Sequence, residues 1–479
     1  MTAFWIILGL LVVFIAVIVV RALLFRPPVE KEQSAEKIEL DTAAATEHLA
    51  QMVRLRTVSS RNAELVDKSQ FEAFQNLLPV LYPEVTKNCP REFIGETGML
   101  YRWKGRQSAN PTVLMAHYDV VTADGEGWEK PPFCGELDAD SVLWGRGTLD
   151  TKGTLCGILE AAELLMKQGF VPQNDIYFSF SGDEEIMGPS APAIVAELER
   201  RGVKPALVLD EGGAIVEKVF PGVKEKCAVI GIGEKGQMDL EFKVKSRGGH
   251  TSAPPVKNPV GTLCKAVVAA ENHPFPAKLT PAAAQMFDTL GRYSGFGLKL
   301  VFANLWCFLP VLKLICAKSG GELNALMRTT CSFTMMQGSN APNVFPPEAK
   351  MTANLRILRG ETMDSATQYL KEVMNDSDVE ISRVQGTDPS PYADISSPQW
   401  ALVKSAVSET WPKVIVAPYM MVACSDSRHF CKICDNVLRF SAMELSKEER
   451  GRIHGLNERI PAEKIGKAAE FFARVIKKC

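Results

Sequence analysis

Thr2–Val20 (TAFWIILGLLVVFIAVIVV) carries no charge, and the apolar character resumes after Arg21 as far as Phe25. This run constrains the chain before anything else does: at ~1.5 Å of helical rise per residue it matches the ~30 Å core of a bilayer. Residues 1–26 are therefore expected to form a single transmembrane anchor. The competing reading is a cleaved signal peptide. Against it stand the missing basic stretch ahead of the run, the length of the run, and the lack of a small-x-small site before Arg26-Pro27-Pro28. Arg21 and Arg26 follow the span and no Lys or Arg precedes it, which favours a cytoplasmic body. Large domains translocate regardless of such charges, and Asn375-Asp376-Ser377 is a glycosylation sequon in a eukaryotic host, so the side of the membrane stays open.

Residues 27–40, polar and proline-led, read as a juxtamembrane linker. Beyond them short apolar runs alternate with helical stretches. Strands are expected at 112–116, 175–181 and 206–209, and helices at 153–168 and 191–201, the pattern of an α/β sheet covered on both faces. A net charge of −2 gives no global field for a polyanion, so nucleic acid is not an expected partner. The 12 cysteines are scattered singly rather than in a disulfide framework, and most are expected to be free and buried. Cys431-Lys432-Ile433-Cys434 has no second such pair to complete a metal site, and no Gly-x-Ser-x-Gly or phosphate-binding loop occurs.

In open α/β sheets, ligands gather at the carboxyl ends of strands, and the polar clusters fall there: His117 and Asp119, Asp183-Glu184-Glu185, Asp210-Glu211. Taken alone, His117-Tyr118-Asp119 has an ordinary explanation as a core histidine beside a turn acid, Asp150 as a helix cap ahead of Gly153, and Asp183-Glu184-Glu185 as a solvated acidic loop. Together they are different, because carboxylates and an imidazole near one sheet edge are costly to bury unless a cation neutralises them. A pair of divalent ions would do so. Imidazole and carboxylate donors without thiolate suit zinc, or cobalt or manganese.

Five segments carry a resemblance: Leu114–Val121 (LMAHYDVV), Trp144–Gly153 (WGRGTLDTKG), Ser181–Glu185 (SGDEE), Gly248–Ser252 (GGHTS) and Ile453–Glu458 (IHGLNE). In this order the chain, from about Thr42 onward, resembles the co-catalytic di-zinc metallopeptidases that include aminoacylase, carnosine-type dipeptidases and glutamate carboxypeptidases. Ser425–Phe430 and His454–Ile460 make it most similar to the branch of N-fatty-acyl-amino-acid hydrolases and Gly-Xaa carboxypeptidases. The resemblance implies an α/β di-zinc aminopeptidase/carboxypeptidase-like catalytic domain (41–234 and 392–479) with an inserted α+β lid and dimerisation domain (235–391). It implies that Asp150 bridges two metals, that His117 and Asp210 complete one site, and that Glu185 and His454 complete the other. Asp119, two residues after His117 and so on the same strand face, would hold the second ring nitrogen of His117. Glu184 would be the general base. Many relatives carry a second acid or Met where this chain has Thr151, which leaves the bridge unharmed.

Within the lid the resemblance assigns His250 to a neighbouring subunit's oxyanion, and Asn343 and Arg356 to the substrate carboxylate; Arg428, in the second catalytic segment, is another candidate for that grip. The expected function is a two-metal amide hydrolase acting on N-acyl amino acids or on C-terminal residues of small peptides. A dipeptidase without lipid preference is the alternative, and an inactive membrane-anchored metal-binding protein is the alternative of another class. Phe296–Ala317 (FGLKLVFANLWCFLPVLKLICA) is a further apolar stretch. Lys299, Pro310 and Lys313 argue against a second span, leaving a buried lid helix or a surface that accepts an acyl chain.

Overall fold

The computed structural model describes residues 1–28, 36–217 and 222–479; residues 29–35 of the expected linker lie outside them. An eight-stranded mixed sheet organises the body, in the order Arg91–Ile94, Gly98–Trp103, Asn174–Ser181, Gln107–His117, Leu207–Val216, Val437–Leu445, Cys227–Glu234, Ile415–Met421. Its central strands 174–181, 107–117 and 207–216 are mutually parallel, so their carboxyl ends emerge together.

Alternation along these strands builds two cores. Leu114, Ala116, Phe178 and Phe180 face one side, where helices Thr42–Arg54, Lys152–Lys167 and Ala462–Lys478 pack. Val113, Met115, Tyr177 and Val208 face the other, against helix Ser190–Arg200. Helix Ala462–Lys478 buries Ile465, Ala468, Ala469, Phe472 and Ile476, a stripe of helical period. It can lie close to helix Lys152–Lys167 because residue 157 is Gly: a Cβ there would come within 3.1 Å of the Ala468 Cβ.

A second, all-antiparallel sheet has the order Thr330–Gln337, Glu348–Ile357, Gly236–Lys245, Glu380–Thr387. Helices Pro259–Asn272 and Met363–Met374 cover its apolar face, which includes Met238, Leu240, Phe242, Ala353 and Leu355. Sheet and helices together make an α+β unit. Residues 281–327, which chain order also put in the lid, behave otherwise. Their helices Pro281–Gly291, Phe296–Phe302, Leu305–Ser319 and Gly321–Met327 contribute Met286, Phe287, Leu290, Leu312 and Met327 to the core of the large sheet. Edge strand Ile415–Met421 is covered by helix Pro281–Gly291.

Thr2–Leu24 is a single helix, long and apolar enough to cross a membrane whether as an anchor or as a signal sequence. Only Ile18 and Ala22 of it are buried. All 12 cysteines are free, but only half fit the expected burial: Cys89, Cys156, Cys227, Cys316, Cys434 and Cys479.

Candidate metal centre

His117 closes strand 107–117 at the carboxyl edge of the sheet. Its Nε2 lies 3.0 Å from Asp150 Oδ1 and 3.3 Å from Glu211 Oε1. The other oxygen of Asp150 lies 3.0 Å from His454 Nε2, which is itself 3.2 Å from Glu185 Oε2. Asp150 thus joins two groups of donors, His117–Asp150–Glu211 and Asp150–Glu185–His454, each with its ligand atoms within 4.8 Å of one another.

Asp119 ties three of these parts together. Its Oδ1 is 3.3 Å from His117 Nδ1, and its backbone carbonyl lies 2.9 Å from the same nitrogen. The same carboxylate accepts the backbone N–H groups of Glu184 and Glu185, both at 3.1 Å, and the hydroxyl of Ser59 at 2.7 Å. It therefore fixes the imidazole and the acidic turn at once, as a carboxylate behind a metal-binding histidine does.

The Asp150 loop is held from below. Glu458 Oε1 accepts the backbone N–H groups of Gly147 (3.0 Å), Leu149 (2.8 Å) and Asp150 (3.3 Å), while its Oε2 accepts Arg146 Nη1 at 2.7 Å. Both partners of this ion pair are buried, and removing one side of such a pair costs about 3–5 kcal/mol because the other charge is left uncompensated. Thr151 has a role that chain pattern did not suggest. Its hydroxyl donates to the His117 carbonyl (2.9 Å) and accepts the His117 N–H (3.0 Å), pinning the loop to the strand.

Asp210, an expected ligand, falls outside both donor groups. It pairs with Arg439 in strand register, and its carboxylate accepts the backbone N–H of Ser427 at 3.0 Å, whereas the next residue, Glu211, reaches His117. Adjacent residues on a strand point to opposite faces, and the register shift between Arg439 and Phe440 falls here, with Gly212 at φ +136°. Asp426, not singled out from sequence, is also drawn in and hydrogen-bonds Ser181.

The electrostatics are those of an acidic pocket. Burial works against a charged His117 imidazole, yet Glu211, Asp119 and Asp150 outweigh it and raise its pKa well above the usual value. Hydrogen bonds to Asp150 and Glu185 raise His454 to about 10. Burial pushes the Glu184 carboxyl well up; His117 opposes this, and Asp426, Glu211 and Glu185 add to it. Burial likewise pushes Asp426 up to about 7. Glu185 Oε1 and Asp426 Oδ1 are buried with no hydrogen-bond partner among the described residues. Imidazole and carboxylate donors grouped in this way, with an orphaned Glu185 oxygen and no thiolate among them, suit a divalent cation.

The remaining expected residues form two further groups. Arg356 and Arg428 meet at the loop after strand Ile415–Met421: Arg356 Nη1 lies 3.5 Å from Cys424 Sγ, and Arg428 Nη1 donates to Ser425 O at 2.6 Å. Arg428 Nε is buried without a hydrogen-bond partner among the described residues. His250 and Asn343 come together elsewhere, on the two-stranded ribbon Gly249–His250 and Val344–Phe345, where the Asn343 carbonyl accepts Thr251 N–H. Both are exposed, and among the described residues no hydrogen bond or ion pair links them to the carboxylate cluster.

Residues 113–478 match the model of peptidase family M20/M25/M40. Probable carboxypeptidase S-like 2 of Dictyostelium discoideum is 34% identical over 439 residues, covering 90% of this chain and 84% of that protein. N-fatty-acyl-amino acid synthase/hydrolase PM20D1 of Xenopus tropicalis is 34% identical over 477 residues, covering 97% and 93%. Human carnosine dipeptidase 1 has the same fold, with a TM-score of 0.65 at 16% identity over 91% of this chain and 96% of that one.

Proposed function

This chain is a metal-dependent hydrolase of peptidase family M20/M25/M40, and from that premise we propose that it cleaves the amide bond of N-acyl amino acids whose acyl chain is long and apolar. The observation that carries the reading is the pair of donor groups sharing Asp150, with Glu184 beside them. His117, Asp150 and Glu211 would hold one divalent ion, and Asp150, Glu185 and His454 the other, with zinc the best match to imidazole and carboxylate donors. When bound, such a pair acidifies water and polarises a carbonyl. Glu184 takes the proton of the attacking water and returns it to the departing nitrogen. Asp119 holds the His117 tautomer. The buried, unpartnered Nε of Arg428, with Arg356 across the same loop, supports a bidentate grip on the substrate's free carboxylate.

Residues 41–234 and 392–479 supply this chemistry, and the antiparallel sheet within 235–391 supplies a lid. Exposure of His250 on its ribbon fits donation to the oxyanion in a neighbouring subunit of a homodimer. Under this reading His250→Ala loses activity but keeps its metal; an unimpaired variant in an enzyme that sediments as a monomer would rule the cross-subunit role out.

The lipid preference is supported by the similarity to N-fatty-acyl-amino acid synthase/hydrolases and by the apolar helix, which would anchor the enzyme where such substrates partition. Each buried methylene contributes ~0.8 kcal/mol, so a long chain has ample energy to set preference. The comparison is kcat/KM for N-acetyl and N-oleoyl versions of one apolar amino acid and for a dipeptide. The N-oleoyl compound is expected to lead; a dipeptide preference above about tenfold, ~1.4 kcal/mol in transition-state binding, would leave a plain carboxypeptidase.

A further inference from the structure

The N-terminal helix is not free of the body. Arg21 reaches the break between helices Phe296–Phe302 and Leu305–Ser319: its Nε and Nη2 donate to Ala303 O at 3.1 and 2.9 Å, and Nε also to Asn304 Oδ1 at 3.1 Å. Asn304, fully buried, donates back to Ile18 O at 3.1 Å. One level further along, the Phe14 ring meets Trp306 edge-on at 5.8 Å between centroids. At the near end Arg292 lies over the Phe25 ring at 4.6 Å and donates to Arg26 O. These contacts tie a fully buried amide, Asn304, and the partly buried hydrogen bonds of Arg21 between elements far apart in sequence, so the junction is a built interface.

From this junction we infer that the helix pair Phe296–Phe302 and Leu305–Ser319 is a lipid-embedded wedge, a second bilayer contact beside the N-terminal helix. The inference rests on reading Thr2–Leu24 as an anchor. Phe14 precedes Arg21 by two turns, so if Arg21 lies at the edge of the hydrocarbon, the Phe14–Trp306 contact lies ~10 Å inside it. The two helices bend by 107° at their break, and the longer has 15 residues, ~22 Å, too short to cross. A wedge that enters and stays on one side is the geometry left.

Composition of the exposed face agrees. Phe296, Trp306, Val311, Leu314 and Ile315 are exposed large apolar side chains, and on the longer helix they fall at helical spacing. Lys299, Lys313 and Lys318 punctuate the same segment and join no ion pair among the described residues, the arrangement by which long basic stems snorkel to headgroups. A second copy of the chain would also cover apolar surface, but the neighbouring faces of Thr2–Leu24 are themselves exposed and apolar, and lipid covers both continuously. The wedge also leads toward the site. It runs into helix Gly321–Met327, where Lys235 Nζ donates to Ala325 O and to Arg328 O, and the Lys235 carbonyl receives Cys424 Sγ, the atom that Arg356 touches.

The test uses the full chain in phosphatidylcholine vesicles with and without brominated acyl chains. Subtracting the Trp306→Phe spectrum from wild type isolates Trp306; the same subtraction with Trp5→Phe reports the N-terminal helix. Trp306 emission is expected to be blue-shifted and quenched severalfold by bromolipid, and Leu314→Trp is expected to add a second quenched component. Trp306 unquenched while Trp5 is quenched overturns the wedge and keeps the anchor. Both unquenched overturns both. Blue-shifted but unquenched Trp306 emission means that protein covers the face, and also overturns it.

Discussion

Glu184→Gln is expected to lower kcat by about 10²–10⁴-fold while metal content and fold stay intact, the range by which a positioned acid–base group accelerates proton transfer. The substitution keeps shape and volume and removes only the ability to hold a proton. Glu184 is not one of the grouped donors, and its backbone N–H, bonded to Asp119, is untouched by the change. Its carboxyl sits among His117, Asp426, Glu211 and Glu185, where burial and the acidic neighbours raise its affinity for a proton well above that of an exposed glutamate. That direction suits a group that must accept a proton from water and keep it until the leaving nitrogen needs it. Turnover at the wild-type rate in a variant with full metal content would remove Glu184 from the mechanism.

Much of this architecture was legible because pattern and packing coincide. Strand 107–117 sends Leu114 and Ala116 to one core and Val113 and Met115 to the other, and such a run reads as a strand buried on both faces. The packing of residues 281–327 was not legible for the opposite reason: chain order puts them between the strands of the antiparallel sheet, and nothing local records that Phe287 and Leu290 pack on the large sheet. The choice between Asp210 and Glu211 was not legible either, since it depends on strand register and the irregularity beyond it. Glu458 and Asp426 lay inside segments already singled out, His454–Ile460 and Ser425–Phe430. Their signal was that an acid in a ligand-bearing segment, if not itself a ligand, has backbone N–H groups or a hydroxyl to hold.

Metal stoichiometry separates these assignments most sharply. Asp150→Ala is expected to lose both ions, because its two oxygens face different donor groups, Oδ1 toward His117 and Oδ2 toward His454, each at 3.0 Å. His454→Ala and Glu211→Ala are each expected to lose one equivalent and to bind the other. In each case activity should fall at least as far as in Glu184→Gln, since the groups act as a unit and effects within a unit do not add. Asp210→Asn is the informative control. Its carboxylate accepts Ser427 N–H and is remote from neither Arg439 nor the strand register, so the change should disturb the 425–428 loop yet leave both ions in place. Elemental analysis of the purified variants checks all four. Full occupancy in Asp150→Ala would end the bridging role, and an ion lost from Asp210→Asn but kept in Glu211→Ala would return the ligand to Asp210.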